Sequence, residues 1–464
     1  MRRVGLLIVV VGAVVGSGGA GVRAEVDGPG AGDARVPPRP GIDIASDHVS
    51  KIIFLNRCAS GCVIQPGSND ARTNTSSIVD ETSYISPFEH SDQVWNAVVQ
   101  CVREIYAPYD VNVTDVDPGE NLFHHEAIVA GDWNEIGYPY PIGGVAPSQC
   151  VPRNNVISFT FANGFGPNAQ RICEVIGQET AHSFGLEHAY DCSDPMTYLN
   201  PCGRQFFRDN TTPCGEYEAL EQCQCGGSAQ NSHRWLRTVL GATQTPVPGP
   251  EVEILAPTAD AAVTGAFAVR VSATHMRGIG HVDLYVNGTQ YGTLEGFAST
   301  DQSRLYDMTV PADLPDGIMD VEIRAYNDIE SETIEIVTVT KGAPCASADS
   351  CLAGQQCDQG RCFFPPATGE LGDPCVADAE CLSGLCPSSG TDRYCSQWCF
   401  PTEVEQTCPM GFSCEEVSPN QGVCWPSAGS GGGGCNAGAG GGWLGGLWIV
   451  WIGGLLALRR RRLR

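Results

Sequence analysis

The chain has 464 residues, a formal net charge of −26 and 23 cysteines. It is too long for one core, so roughly two to four domains are expected. Its acidity argues against nucleic acid as a partner, and its cysteine content points to an oxidising compartment. The cysteines sort by position: ten lie between Cys58 and Cys225, none over 226–344, twelve between Cys345 and Cys424, and Cys435 stands alone. Ten and twelve are even, as two closed disulfide sets require.

Residues 1–24 read as a secretory signal peptide, with Arg2-Arg3, an apolar run over 6–15 and a small-residue cleavage site at Val22-Arg23-Ala24. Residues 25–50 are rich in Gly, Pro, Ala and Asp and lack aromatic rings, as a disordered leader does. The first folded domain is predicted over 51–240. A strand is expected at 51–55, and a helix at 92–106 from the spacing of Val94, Val98, Val99, Val102 and Tyr106. Alternating stretches at 109–116 and 156–161 predict further strands, and a second helix is expected at 171–184. This order implies an α+β domain. His124-His125-Glu126 reads as a strand edge, and Cys58 and Cys62 as a small disulfide loop.

The second helix carries Gln178-Glu179-Thr180-Ala181-His182-Ser183-Phe184-Gly185-Leu186-Glu187-His188, followed by Ser193-Asp194-Pro195-Met196-Thr197-Tyr198. Gln178 and His182, four apart, project from one helix face, with Glu179 beside them. Gly185 can end the helix in left-handed geometry and let the chain bring His188 back toward His182. The two stretches resemble the zinc-binding helix and Met-turn of the metzincin metallopeptidases, whose pattern is His-Glu-x-x-His-x-x-Gly-x-x-His. Every fixed position matches except the first, where Gln178 stands for histidine.

The resemblance implies Zn2+ held by Gln178, His182 and His188, Glu179 as general base, Tyr198 as oxyanion stabiliser and Met196 as the apolar floor. Cys192 and Cys202 flank the turn and could staple it. A glutamine oxygen is neutral like imidazole but a poorer partner for zinc. Three outcomes stay open at this position: Gln178 ligates, His124, His125 or Glu126 replaces it, or the site holds no metal.

Residues 243–250 form a proline-rich linker. Short alternating runs over 251–341, separated by Asn287-Gly288 and Pro315-Asp316-Gly317, predict an all-β sandwich and resemble bacterial immunoglobulin-like domains. Residues 344–426 form a disulfide scaffold in which Cys345, Cys351 and Cys357 recur as Cys375, Cys381 and Cys386, with a looser echo at Cys408, Cys414 and Cys424. A Gly/Ser-rich tether follows at 427–442 and contains Cys435. Over 443–464 lie an apolar segment, predicted as a transmembrane helix, and an arginine cluster. Cysteine, short helix and arginines together resemble the myxobacterial C-terminal sorting signal (MYXO-CTERM). That resemblance implies processing at Cys435, membrane attachment through helix or lipid, and an exported protein at the cell surface or outer membrane, or released from it.

The leading expectation is an extracellular zinc-dependent endopeptidase acting on protein or peptide. The alternative is a non-catalytic surface binding or adhesion protein on a degenerate metzincin scaffold.

Overall fold

The computed structural model describes residues 49–426, except 148–149, 200–201, 218, 297–302, 391, 400–407 and 419–420. The signal peptide, nearly all of the leader, the tether with Cys435 and the apolar segment with its arginine tail lie outside the described residues. Among the described residues no helix is long and apolar enough to cross a membrane.

The N-terminal part is built on one mixed sheet of β1 (Ile52–Asn56), β2 (Asn112–Thr114), β3 (His125–Val129), β4 (Gly144–Val145) and β5 (Ile157–Thr160). Its order is β2-β1-β3-β5-β4. The first four in that order run parallel, and the edge strand β4 is antiparallel to β5. Helix α1 (Asp92–Tyr106) starts where Ser91 accepts a hydrogen bond from the Val94 amide, a cap worth about 1 kcal/mol. Its buried stripe of Trp95, Val98, Val99, Val102, Ile105 and Tyr106 packs with Ile53, Leu55, Ala127 and Val129 of the sheet. Helix α2 (Ala169–Ser183) shares that core and is buried from Ile172 to its end. The Cys101–Cys173 disulfide staples α1 to α2, and the Tyr106 hydroxyl donates to the Gly177 carbonyl at 3.2 Å. The other sheet face is covered by Ile64, Ile78, Val79 and Ile85 packed on Ile128, Ile157 and Phe159.

The expectation of a strand edge at His124-His125-Glu126 is corrected here. His125 and Glu126 lie on β3, the third of five strands, and every β3 residue is buried. Neighbours answer these polar residues only in part, for the buried His125 Nε2 has no hydrogen-bond partner among the described residues. His125 packs edge-on to Phe184 with ring centroids 4.5 Å apart, and Glu126 accepts a 2.7 Å hydrogen bond from Asn56 on the adjacent strand. Burial drives the His125 imidazole down to about 3 and the Glu126 carboxyl up to about 7.

Residues 251–341 form two packed sheets around their own apolar core. One holds β7 (Glu251–Ala256), β9 (Phe267–Thr274) and β12 (Arg304–Val310), after β6 (Thr212–Glu216) of the first domain. The other holds β8 (Ala262–Val263), β14 (Glu332–Lys341), β13 (Gly317–Tyr326), β10 (His281–Val286) and β11 (Thr289–Glu295) in that order. Strand β11 was not expected from sequence; it returns along β10 after the Asn287-Gly288 turn.

The cysteine-rich segment repeats one topology three times, each time linking first to third and second to fourth cysteine: 345–357 and 351–362, 375–386 and 381–395, 399–414 and 408–424. The third repeat therefore begins at Cys399, which the sequence spacing did not assign. All cysteines among the described residues are disulfide-bonded. Close groups of cysteine sulfurs in this segment thus offer no thiolate to a metal.

Glu126 gives the fold a pH signature. Its folded pKa, about 7, lies above its ordinary value of 4.5, so the folded state holds the extra proton and stability falls as pH rises through that window. Glu126→Gln keeps the acceptor for Asn56 without the charge. Relative to wild type, the variant should gain about 3 kcal/mol between pH 4 and pH 8, followed by urea unfolding on the buried Trp95. A difference that stays flat with pH would refute the assignment.

Candidate metal centre

Helix α2 delivers Gln178, Glu179 and His182, which are 4%, 2% and 3% exposed. The helix ends in a Schellman reversal: Gly185 sits at φ +92, its amide bonds the His182 carbonyl, and the Leu186 amide reaches back to the Ala181 carbonyl at 3.1 Å. That reversal also orients a side chain. The Leu186 carbonyl, which can only accept, lies 2.8 Å from His182 Nδ1. Nδ1 therefore carries the proton, and Nε2 is the lone-pair nitrogen.

The chain then brings His188 to a ring-centroid distance of 5.0 Å from His182. His188 Nδ1 bonds the carboxylate of Glu216 at the end of β6, which fixes the same tautomer. Tyr198 lies against His188, with centroids 4.2 Å apart, and Tyr217 stacks on Tyr198 at 5.2 Å. Sequence reasoning missed Glu216 and Tyr217. They sit between Cys214 and Cys223, whose disulfide closes the loop, and no spacing rule ties that loop to His188.

Met196 is fully buried in the core shared by α1 and α2. Its carbonyl accepts from the Ala189 amide at 2.7 Å, and its amide donates to Asp194 Oδ1 at 2.9 Å. Burial pushes the Asp194 carboxyl up to about 7, although the amides of Arg208 and Met196 pull it down. Pro195 packs against Gly177, one residue before Gln178, so the turn lies directly on α2. The Cys192–Cys202 disulfide closes the turn.

Glu179 reaches toward the sheet edge. A Cβ on Gly144 of β4 would fall 2.6 Å from both Glu179 Cγ and Oε1, so only glycine leaves the carboxylate its place. Tyr138, half-buried nearby, is pushed up to about 12 by burial and then by Tyr140, Glu179 and Asp80, and stays a neutral donor.

The donor types are those a cation takes. Two imidazoles present lone-pair nitrogens from adjoining rings, and Gln178 lies on the His182 face of the helix. The buried Gln178 Nε2 has no hydrogen-bond partner among the described residues. A half-turn of the isosteric amide exchanges that nitrogen for the oxygen a cation takes. Of the other candidate ligands, His124 Nδ1 lies 2.8 Å from the Leu122 carbonyl and Glu126 accepts from Asn56, while the His125 ring packs on Phe184 and its buried Nε2 has no hydrogen-bond partner among the described residues.

Residues 250–323 match the family model for a bacterial Ig domain, so the sandwich is a bacterial Ig-like domain. No curated protein matches the chain. Among solved structures, the fibronectin(III)-like modules of Clostridium thermocellum CbhA are 19% identical, with 21% of this chain and 48% of that one covered and a TM-score of 0.16. A lytic polysaccharide monooxygenase from Jonesia denitrificans is 16% identical over 18% of this chain and 58% of its own, TM-score 0.15. OgpA from Akkermansia muciniphila is 13% identical over 54% of this chain and 71% of its own, TM-score 0.16. The chain spans about half the length of the first two. At these scores none of the structural likenesses supports an argument about fold or activity.

Glu216→Ala tests the centre without a substrate. Nitrogen-15 spectra of the imidazoles should show the Nδ1–H tautomer at both histidines in wild type, and its loss at His188 alone in the variant. Zinc affinity should fall about 10- to 100-fold, the usual cost of losing such a partner. An unchanged His188 tautomer would remove Glu216 from the site.

Proposed function

We propose that the chain is an extracellular, metzincin-like, zinc-dependent endopeptidase. The observation that supports this best is the pair His182 and His188, each with Nδ1 committed to an acceptor, with Glu179 on the helix that carries His182. Gln178, His182 and His188 would hold Zn2+. The bound ion would bring water to a pKa near 7 and polarise the scissile carbonyl.

The other roles belong to the chain's own residues. Strand β4 closes one side of the sheet, and both of its residues are buried. Bare Gly144 leaves the Glu179 carboxylate its place there. The Glu179 carboxylate takes a proton from the attacking water as the new C–O bond forms. It returns the proton to the amine as the C–N bond breaks. The Tyr198 hydroxyl donates to the oxygen that gains charge. Met196 and the buried turn beneath α2 keep the histidines from shifting.

The extracellular setting draws support from the eleven disulfides among the described residues. Attachment to the surface would come through the segment after Cys435, by helix or by lipid. The Ig-like and cysteine-rich parts would present the hydrolase or bind extracellular material.

Purified chain should carry close to one zinc and hydrolyse casein. Glu179→Ala should keep the zinc and lose about 10²- to 10⁴-fold in rate. Gln178→His should tighten zinc about tenfold or more. Neither zinc nor hydrolysis in wild type would favour the binding-protein alternative; unchanged affinity in Gln178→His would place that residue outside the ligand set.

A further inference from the structure

The Met196 turn is held from its far side by the Ig-like sandwich. Arg277, between β9 and β10, and Asp328, between β13 and β14, have side chains 2% and 9% exposed. They form a forked pair, Nε to Oδ1 at 2.7 Å and Nη2 to Oδ2 at 2.9 Å. Both also reach into the first domain. Arg277 Nη2 donates to the Phe207 carbonyl at 2.7 Å, and Asp328 Oδ2 lies 3.2 Å from Nη1 of Arg208. Arg208, 3% exposed at its side chain, donates from that Nη1 to the Arg277 carbonyl at 2.5 Å.

The same arginine grips the turn. Its Nε donates to the Ser193 carbonyl at 3.1 Å, and its amide donates to Asp194 Oδ2 at 3.0 Å. The other oxygen of Asp194 holds the Met196 amide. Phe206 packs beneath both guanidiniums, 5.0 Å from Arg277 and 5.6 Å from Arg208. An unbroken line of charge-assisted contacts thus runs from a sandwich loop to the residue under the metal centre. Because the charges are buried, losing one leaves its partners uncompensated, which is far costlier than losing a surface pair.

We propose that the sandwich is a structural part of the catalytic unit, and that Arg277 and Asp328 are positioning residues that fix the Met196 turn through Arg208. The catalytic consequence rests on the hydrolase reading; the mechanical coupling does not.

The test uses the full chain and amide hydrogen exchange across 190–210. Asp328→Asn preserves shape and removes the charge. Exchange at the Met196 and Arg208 amides should quicken tenfold or more. Asp307→Asn, in an exposed pair with Arg270, should leave both amides unchanged. If Asp328→Asn loosens only the sandwich loops at 275–280 and 327–331, the proposal is overturned. Should that variant not fold, Arg277→Lys, which keeps the charge and loses the fork, is read by the same criterion. On a chain that hydrolyses casein, kcat should fall about tenfold with KM and zinc content held; an unchanged kcat beside faster exchange would overturn the positioning role. A wild-type chain without hydrolysis defeats the peptidase reading, while the exchange result still decides the coupling.

Discussion

The site depends on how α2 stops. A helix that ran on past Ser183 would carry His188 away along its axis. The left-handed Gly185 lets the Leu186 amide close on the Ala181 carbonyl, and the same turn aims the Leu186 carbonyl at His182. One local conformation therefore ends the helix, sets a tautomer and returns the third side chain of the motif. A residue with a Cβ at Gly185 would strain all three at once. The rest of the domain keeps that turn in place: α1 is stapled to α2, the Met196 turn lies beneath it, and Glu187 ties the loop onward by accepting from the Gln224 and Cys225 amides.

The chain changes its means of stabilisation from one end to the other. The first domain has a large apolar core and still uses disulfides, one between α1 and α2 and three in the segments around the motif. The sandwich has an apolar core of its own and no cysteine. The final modules invert the balance, and the second of them has a buried cluster made only of half-cystines. Small units bury too little apolar area to fold on packing alone, so covalent closure of the unfolded chain takes over.

What the sequence disclosed follows from period and locality. Helix α1 was legible to the residue, because its stripe faces one core and Ser91 caps it. The motif was legible because its parts lie within 21 consecutive residues. The pairings Cys58–Cys62 and Cys192–Cys202 were legible for the same reason. Strand β3 was not, since His125 and Glu126 carry polar groups that only tertiary partners make tolerable at the centre of a sheet. Nor was β11, whose Gly292 and polar neighbours weaken its alternation. Glu216 and Gly144 act on the site from distant segments, and single-sequence spacing holds no record of such contacts.

The Gln178 substitution is best weighed against the groups behind the histidines. An amide oxygen offers a cation less than an imidazole nitrogen does, and it adds no negative charge to compensate. His188, however, has a full carboxylate on its far nitrogen, and His182 a backbone carbonyl. Hydrogen bonding to an anion makes the facing nitrogen a stronger donor to a metal. The weakness at position 178 and the strength behind position 188 would act in opposite directions on a bound ion. The balance between them, rather than the identity of the first ligand alone, governs whether such a centre retains its metal.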